Sequence, residues 1–127
     1  MKMRMKVLAA SVAALAGALV VSAPNAASAG TGNCARGYFC AWVDANYDGA
    51  GATWAGSDSI WPSFIWNEDS SWSNNGIQGP GVPAWVRVYS LNFQQGSQNL
   101  CIGPGQKISY NAGANDNGQS HGWYSGC

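Results

Sequence analysis

Histidine and charge are scarce in this sequence, which has one histidine, His121, and 9% charged residues. A single histidine excludes the zinc sites that are built on pairs of histidines. Glu68 and Asp69 are adjacent, and neighbouring side chains point to opposite faces of an extended chain, so they make a poor acid–base pair. We therefore expect no enzymatic activity, and we expect His121 to be a solvated loop residue.

Basic residues are also few, and half of them lie in the first six positions, at Lys2, Arg4 and Lys6. An apolar run follows at residues 7–21, and the small residues 27–29 (Ala-Ser-Ala) form the cleavage pattern of a secretory signal. The apolar run is shorter than the roughly 20 residues of a membrane span. We predict a signal peptide at residues 1–29 and a secreted, extracellular protein that leaves the membrane after cleavage.

The exported part, residues 30–127, carries three basic residues against six acidic ones, a formal charge of −3. It has no basic patch for a phosphate backbone, so nucleic acid is excluded as a partner. Its size suits one domain, which we expect to be a monomer.

Long helical patterns are missing from the exported part, because glycine, proline and asparagine interrupt every apolar period. Short runs of aromatic and β-branched residues indicate strands at 38–43, 59–66, 84–89 and 99–103, with a weaker one at 108–110. These runs predict an all-β fold.

Tryptophan is abundant, with seven residues in the exported part. A small core has few other large side chains to fill it, and each indole ring buries a large area. We expect four to fill the core, Trp42, Trp54, Trp66 and Trp85. Those near turns should be surface contacts, namely Trp61, Trp72 and Trp123.

All four cysteines lie in the exported part, at Cys34, Cys40, Cys101 and Cys127. An even number in an exported chain indicates disulfides rather than a free catalytic thiol. Three connectivities are open, and we favour Cys34–Cys40 together with Cys101–Cys127.

The turn-forming segment 74–83 divides the exported part into two similar halves. The first half contains Trp42, Tyr47 and Gly49 followed by residues 67–71; the second contains Tyr89, Phe93 and Gly96 followed by residues 115–120. Neither half is large enough to close a core alone, so we predict that the two pack together as one sandwich.

The run from Trp42 to Gly49, with Tyr47 between them, resembles the Greek-key corner of βγ-crystallins. Together with the signal peptide and the short Cys34–Cys40 spacing, it makes the chain resemble the small secreted peptidase inhibitors of the Streptomyces metalloproteinase-inhibitor type. The resemblance covers residues 34–123 and implies two Greek-key motifs in a disulfide-stabilised, βγ-crystallin-like sandwich. It also implies an extracellular protease as partner, with a rigid loop that occludes the protease cleft.

The exposed loops that could meet a protease are residues 76–83, 94–98 and 101–105. Inhibitors of the resembled type present the target bond in a second short cysteine-closed loop, but here Cys101 has only Cys127 as a partner. We predict Cys101–Ile102 as the presented bond, because a bridge would anchor Cys101 and the following Gly-Pro-Gly turn is stiff.

The resemblance further implies calcium sites, because many βγ-crystallins bind calcium through paired Asn/Asp positions followed by Ser/Thr and Ser. Both copies here are degenerate: Trp66 replaces the opening Asn/Asp of the first, and Gln119 replaces Ser/Thr in the second. We favour loop hydrogen bonding for these residues, with weak calcium binding as the alternative and no other cofactor. The candidate ligands are Asn67, Asp69, Ser70, Asn115 and Asp116.

Two other functions remain open beside peptidase inhibition. One is a calcium-binding structural module, and the other is a secreted antimicrobial or cell-wall-binding protein, since the chain also resembles small microbial toxins with the same fold.

Overall fold

Seven antiparallel strands form two sheets in residues 30–127, the part of the chain that the computed structural model describes. The predicted signal peptide, residues 1–29, lies outside the described residues. The strands are β1 (Phe39–Asp44), β2 (Asp48–Trp54), β3 (Ser71–Asn74), β4 (Trp85–Leu91), β5 (Gln95–Ile102), β6 (Lys107–Ile108) and β7 (Ser120–Tyr124). The first sheet has the order β2-β1-β3-β6 and the second β5-β4-β7. Among these residues, no helix has the length and apolar character to cross a membrane.

The two halves of the chain exchange segments. Strand β6 comes from the second half but pairs with β3 of the first, through Ser73 and Lys107. In return, Asp58 of the first half forms a bridge with His121 in β7. Because each half contributes to the other's sheet, the halves share one core, as the sequence pattern predicts.

Alternation along the strands directs one face of each sheet inwards. In β4, Val86 and Val88 are buried while Arg87 between them is half-buried. The core contains Phe39, Ala41, Ala52, Trp61, Ile65, Trp72, Val86, Val88, Leu100, Ile102 and Ala114. It lies between the sheets, and its side chains come from the two inner faces, from the segment 61–65 and from Ala114 in the loop before β7.

The tryptophan prediction is wrong in both of its groups, since two residues expected at the surface are buried and none expected in the core is fully buried. Trp72 is fully buried, and Trp61 is 2% exposed, although we expected both at the surface. Trp72 lies in β3, between β1 and β6, and Trp61 enters the core from the loop that bridges to β7. The four tryptophans expected in the core are only half-buried.

The strand predicted at 59–66 is also wrong, because this segment forms consecutive turns. The Pro62 carbonyl accepts hydrogen bonds from the backbone N–H groups of Ile65 and Trp66. The buried residues Trp61 and Ile65 are four positions apart, which is a helical-turn spacing rather than the alternation of a strand. The other strand predictions overlap observed strands, whereas β2, β3 and β7 were not predicted.

The favoured disulfide pairing is confirmed. Cys34–Cys40 closes a short loop before and into β1, and Cys101–Cys127 joins β5 to the last residue, with Cα–Cα distances of 5.9 and 5.8 Å. Arg87 also holds the carboxyl end, because its Nε donates to the Gly126 carbonyl oxygen at 2.9 Å. The larger loop should stabilise the fold by roughly 3–4 kcal/mol by restricting the unfolded chain.

Candidate inhibitory surface and the segments that support it

The first Greek-key corner, between β1 and β2, is fixed by a buried serine. The Ser71 hydroxyl donates to the Asp44 carbonyl oxygen at 2.7 Å and accepts from the Tyr47 backbone N–H at 2.9 Å. Gly49 has φ +76°, and a Cβ there would overlap the Asp44 carboxylate. The glycine of the sequence pattern is therefore required both for its backbone conformation and for space.

The second corner, between β4 and β5, repeats this arrangement. The Ser120 hydroxyl donates to the Leu91 carbonyl oxygen at 2.7 Å and accepts from the Gln94 backbone N–H at 3.0 Å. Gly96 has the same φ of +76° as its counterpart in the first corner. Gln94, rather than the Phe93 chosen from the sequence, therefore occupies the place of Tyr47.

Ser120 also belongs to Gly118–Gly122, which matches the letters of a nucleophile elbow, Gly-x-Ser-x-Gly. In the structure Ser120 is buried within β7 and both hydrogen bonds of its hydroxyl serve the corner. The segment has neither the exposed serine nor the strand-to-helix turn that a nucleophile elbow requires.

His121 is fully buried rather than solvated, which corrects the sequence expectation. Its Nδ1 accepts from Trp61 Nε1, and its Nε2 donates to the Gly56 carbonyl oxygen, each at 2.9 Å. Burial lowers the pKa of His121 to about 4, although the Gly56 hydrogen bond and the charge of Asp58 act in the opposite direction. The side chain is a neutral core element, and protonation would break its hydrogen bond with Trp61.

The two segments predicted to bind calcium lie against each other. The Asn67 N–H donates to the Gly118 carbonyl oxygen, and the Asp116 N–H donates to the Asp69 carbonyl oxygen, both at 2.7 Å. The two bonds are related by the same two-fold pattern as the two corners. These bonds bring together three of the five candidate ligands, and the other two, Ser70 and Asn115, are next to them in sequence.

Asp69 is committed to the protein itself. It is fully buried, and its two carboxylate oxygens accept from Trp72 Nε1 and the Gly118 N–H, each at 2.9 Å. Burial raises the pKa of Asp69, and these hydrogen bonds partly offset the rise. Its carboxylate therefore has little capacity left for a cation.

The second segment fits calcium better, because the Asn115 side-chain oxygen is buried without a hydrogen-bond partner and Asp116 is exposed. In residues 30–127, no three His, Cys, Asp or Glu side chains cluster as a metal site would require. A calcium ion here would depend on amide and carbonyl oxygens with one carboxylate, which predicts weak binding.

The predicted inhibitory bond, Cys101–Ile102, lies inside β5. Ile102 is fully buried, and it pairs with Val86 of β4. A protease could reach this bond only after β5 had left the sheet. The following turn is well held, since the Gly105 N–H donates to the Asn74 carbonyl oxygen at 2.7 Å.

The loop between β3 and β4, residues 75–83, carries exposed apolar side chains. Eight of its nine residues are exposed, and Ile77 and Val82 keep 44% and 45% of their surface accessible. At its base, Asn74 Nδ2 donates to the carbonyl oxygens of Ala84 and Ile102 at 2.8 and 2.7 Å. A buried amide thus ties both ends of the loop to the second sheet.

Open clefts lie on both sides of this loop. One, of about 320 Å³, is lined by Gly37, Ala55, Gly76, Ile77, Val82, Pro83 and Trp123. The other, of about 430 Å³, is lined by Gln78, Gly79, Val82, Ala84, Trp85, Pro104 and Ser125. The loop therefore stands between two grooves at the end of the sandwich opposite the serine-held corners.

Solved structures with the same fold are βγ-crystallin domains. One, from work on the evolution of the eye-lens βγ-crystallin domain fold, aligns with a TM-score of 0.59 at 15% identity and covers 73% of this chain and 90% of that chain. A βγ-crystallin domain from Clostridium beijerinckii aligns with a TM-score of 0.52 at 20% identity, covering 68% and 97%. These likenesses show the fold alone.

No sequence among the curated proteins matches this chain. A family model does match, over residues 27–100, and its description is peptidase inhibitor family I36. The match spans more than half of the chain, includes loop 75–83 and ends one residue before Cys101. The chain belongs to peptidase inhibitor family I36.

Proposed function

We propose that this protein inhibits an extracellular metallopeptidase by placing loop 75–83 in the protease cleft. Family membership supports inhibition, and the exposed, anchored loop with its two apolar side chains supports the place of contact. The two disulfides suit an extracellular setting. This proposal replaces the presented bond at Cys101–Ile102 with a segment that a protease can reach.

A contact loop must project from the fold and must lose little freedom on binding. Loop 75–83 projects because β3 and β4 belong to different sheets, so the connection crosses the open end of the sandwich. Its freedom is limited by two prolines, by the Val82 N–H to Gly79 carbonyl turn at 3.0 Å and by Asn74. Ile77 and Val82 are then available as apolar anchors for a protease pocket.

The alternative loop 94–98 offers less to a protease. Gln94 directs its side-chain amide inwards, where it donates to the His121 carbonyl oxygen at 2.8 Å. The following residues pair with β4 as the start of β5, and the Ser97 N–H donates to Ser90 Oγ at 2.8 Å. Residues 94–98 themselves contain no apolar side chain, and the exposed Phe93 lies just before them.

The test is titration of the purified exported part against a thermolysin-like metallopeptidase and against a subtilisin, with hydrolysis of a small substrate as the signal. We expect equimolar protein to abolish the metallopeptidase activity. Ile77→Asp should raise the inhibition constant at least tenfold, because a charge would replace an apolar anchor.

Ile60→Asp is the matched control, since Ile60 is 53% exposed but lies outside the loop. It should inhibit as the wild type does, and both variants should keep the wild-type melting temperature. Full protease activity at equimolar wild-type protein would refute the proposed function. An equal loss of inhibition in Ile77→Asp and Ile60→Asp would refute the loop as the contact site.

A further inference from the structure

The short Cys34–Cys40 loop lies directly against the start of loop 75–83. The Asn75 N–H donates to the Tyr38 carbonyl oxygen at 2.9 Å, and the Gly37 N–H donates to the Asn75 carbonyl oxygen at 2.7 Å. The Asn75 side chain adds a third bond, from Nδ2 to the Cys34 carbonyl oxygen at 2.7 Å. One residue thus pairs with three positions of the disulfide-closed loop.

The contact continues to the apolar part of the loop. A Cβ built on Gly37 would lie 3.5 Å from Ile77 Cδ1, and Gly37 has φ +88°. The Ile77 side chain therefore packs on the backbone of the Cys34–Cys40 loop. The cleft lined by Gly37, Ile77 and Val82 lies beside this contact and extends to Ala55 and Trp123.

We propose that the Cys34–Cys40 loop is a brace for loop 75–83, and that Asn75 is the positioning residue through which it acts. This inference rests on the proposed function. It adds that the brace prevents the target protease from cleaving loop 75–83, so that the chain acts as an inhibitor and not as a substrate. The disulfide fixes Cys34 and Tyr38 relative to each other, so their carbonyl oxygens form a preformed receptor for the Asn75 amides. Without the brace, Ile77 loses its support while the core is unchanged.

Two measurable consequences follow. A loosened loop must be ordered when it binds, so inhibition weakens. It can also adopt the extended conformations that a protease cuts, so the target protease should cleave it. A residue that served only global stability would change the melting temperature instead of these two properties.

The test compares Asn75→Asp, which keeps the side-chain size but removes the Nδ2 donor, with the matched control Asn92→Asp. Asn92 uses its Oδ1 as an acceptor for Trp66 Nε1 at 2.9 Å, and aspartate keeps that acceptor while adding the same charge. We expect Asn75→Asp to weaken inhibition about tenfold, which corresponds to the loss of one hydrogen bond to the loop. Mass spectrometry should then find cleavage within residues 76–82 of this variant alone.

Hydrogen exchange of the amides in residues 76–82 gives a readout that does not depend on inhibition. We expect faster exchange in Asn75→Asp than in the wild type and in Asn92→Asp, with similar melting temperatures for all three. Equal exchange in the three proteins would overturn the brace, even where the wild type inhibits its protease. If the wild type inhibits nothing, the proposed function fails, and the exchange comparison alone then decides the brace.

Discussion

Acid should destabilise this protein through one residue, His121. Both ring nitrogens are engaged, Nδ1 as acceptor from Trp61 and Nε2 as donor to the Gly56 carbonyl oxygen. Phe39 and Trp54 pack on the ring with centroid distances of 4.8 Å each, and Asp58 is the charged group that acts on it. The imidazolium form would be a charge buried among aromatic rings, and its Nδ1–H would face the Nε1–H of Trp61.

The size and sign of the effect come from the pKa. The folded-state pKa of His121 is lowered from 6.5 to about 4, so the unfolded chain binds the proton more tightly. The stabilisation is therefore fully present above pH 6.5 and is lost as the pH falls towards about 4. A difference of this size corresponds to about 3 kcal/mol of unfolding free energy, a large part of the stability of a small domain.

Urea unfolding, followed by tryptophan fluorescence at pH values from 4 to 8, measures this loss. His121→Asn is the comparison variant, because an asparagine oxygen can accept from Trp61 but does not titrate. We expect it to be less stable at pH 7 and to have a flatter profile between pH 6.5 and 4. The raised pKa of Asp69 acts in the opposite direction in both proteins, so the difference between their profiles isolates His121. Parallel profiles would refute the reasoning.

Three further predictions concern the corners and the paired segments. Ser71→Ala and Ser120→Ala should each lower the unfolding free energy by about 2 kcal/mol, since each leaves a backbone N–H and a carbonyl oxygen of its corner without a partner. The midpoints of urea unfolding test this, and an unchanged midpoint in either variant would contradict the equivalence of the two corners. Asp69→Asn should lower the melting temperature, because its amide N–H would face the donor of Trp72 or of Gly118; a retained melting temperature would mean that the carboxylate is not needed. Any calcium binding should be weak, and Asp116→Asn should abolish its calorimetric signal, because Asp116 is the exposed carboxylate of the second segment; an unchanged signal would exclude this segment as the site.

The sequence was sufficient for the all-β class and the first corner, and it favoured the observed disulfide pairing among three open connectivities. These features depend on local chemistry: Gly49 is required by its backbone conformation, and Cys34 and Cys40 are close in the chain. Local patterns also located the strands that carry β-branched residues, such as β4. The family resemblance rested on the same local residues and is confirmed by the family match.

Burial that depends on contacts with distant segments of the chain was not predictable from local sequence. Trp72 and His121 each follow a corner serine, and both are buried because the other half of the chain covers them. In isolation, the sequence before His121 is polar and rich in asparagine and glycine, which indicates a solvated loop. The segment 59–66 has strand-like composition, but Pro62 and the four-residue spacing of Trp61 and Ile65 produce turns. At these positions, tertiary contacts rather than residue type determine the burial and the local structure.

The location of the proposed inhibitory loop follows from how the two ends of the sandwich are held. At one end the chain turns tightly at two corners, and Ser71 and Ser120 satisfy the backbone there. At the other end β3 and β4 separate into different sheets, and both disulfides are found. The disulfides and the hydrogen bonds of Asn74 and Asn75 hold the connections there to the rest of the fold. A contact loop is best placed at this end, where residues 75–83 cross from β3 to β4 and the Cys34–Cys40 loop supports them.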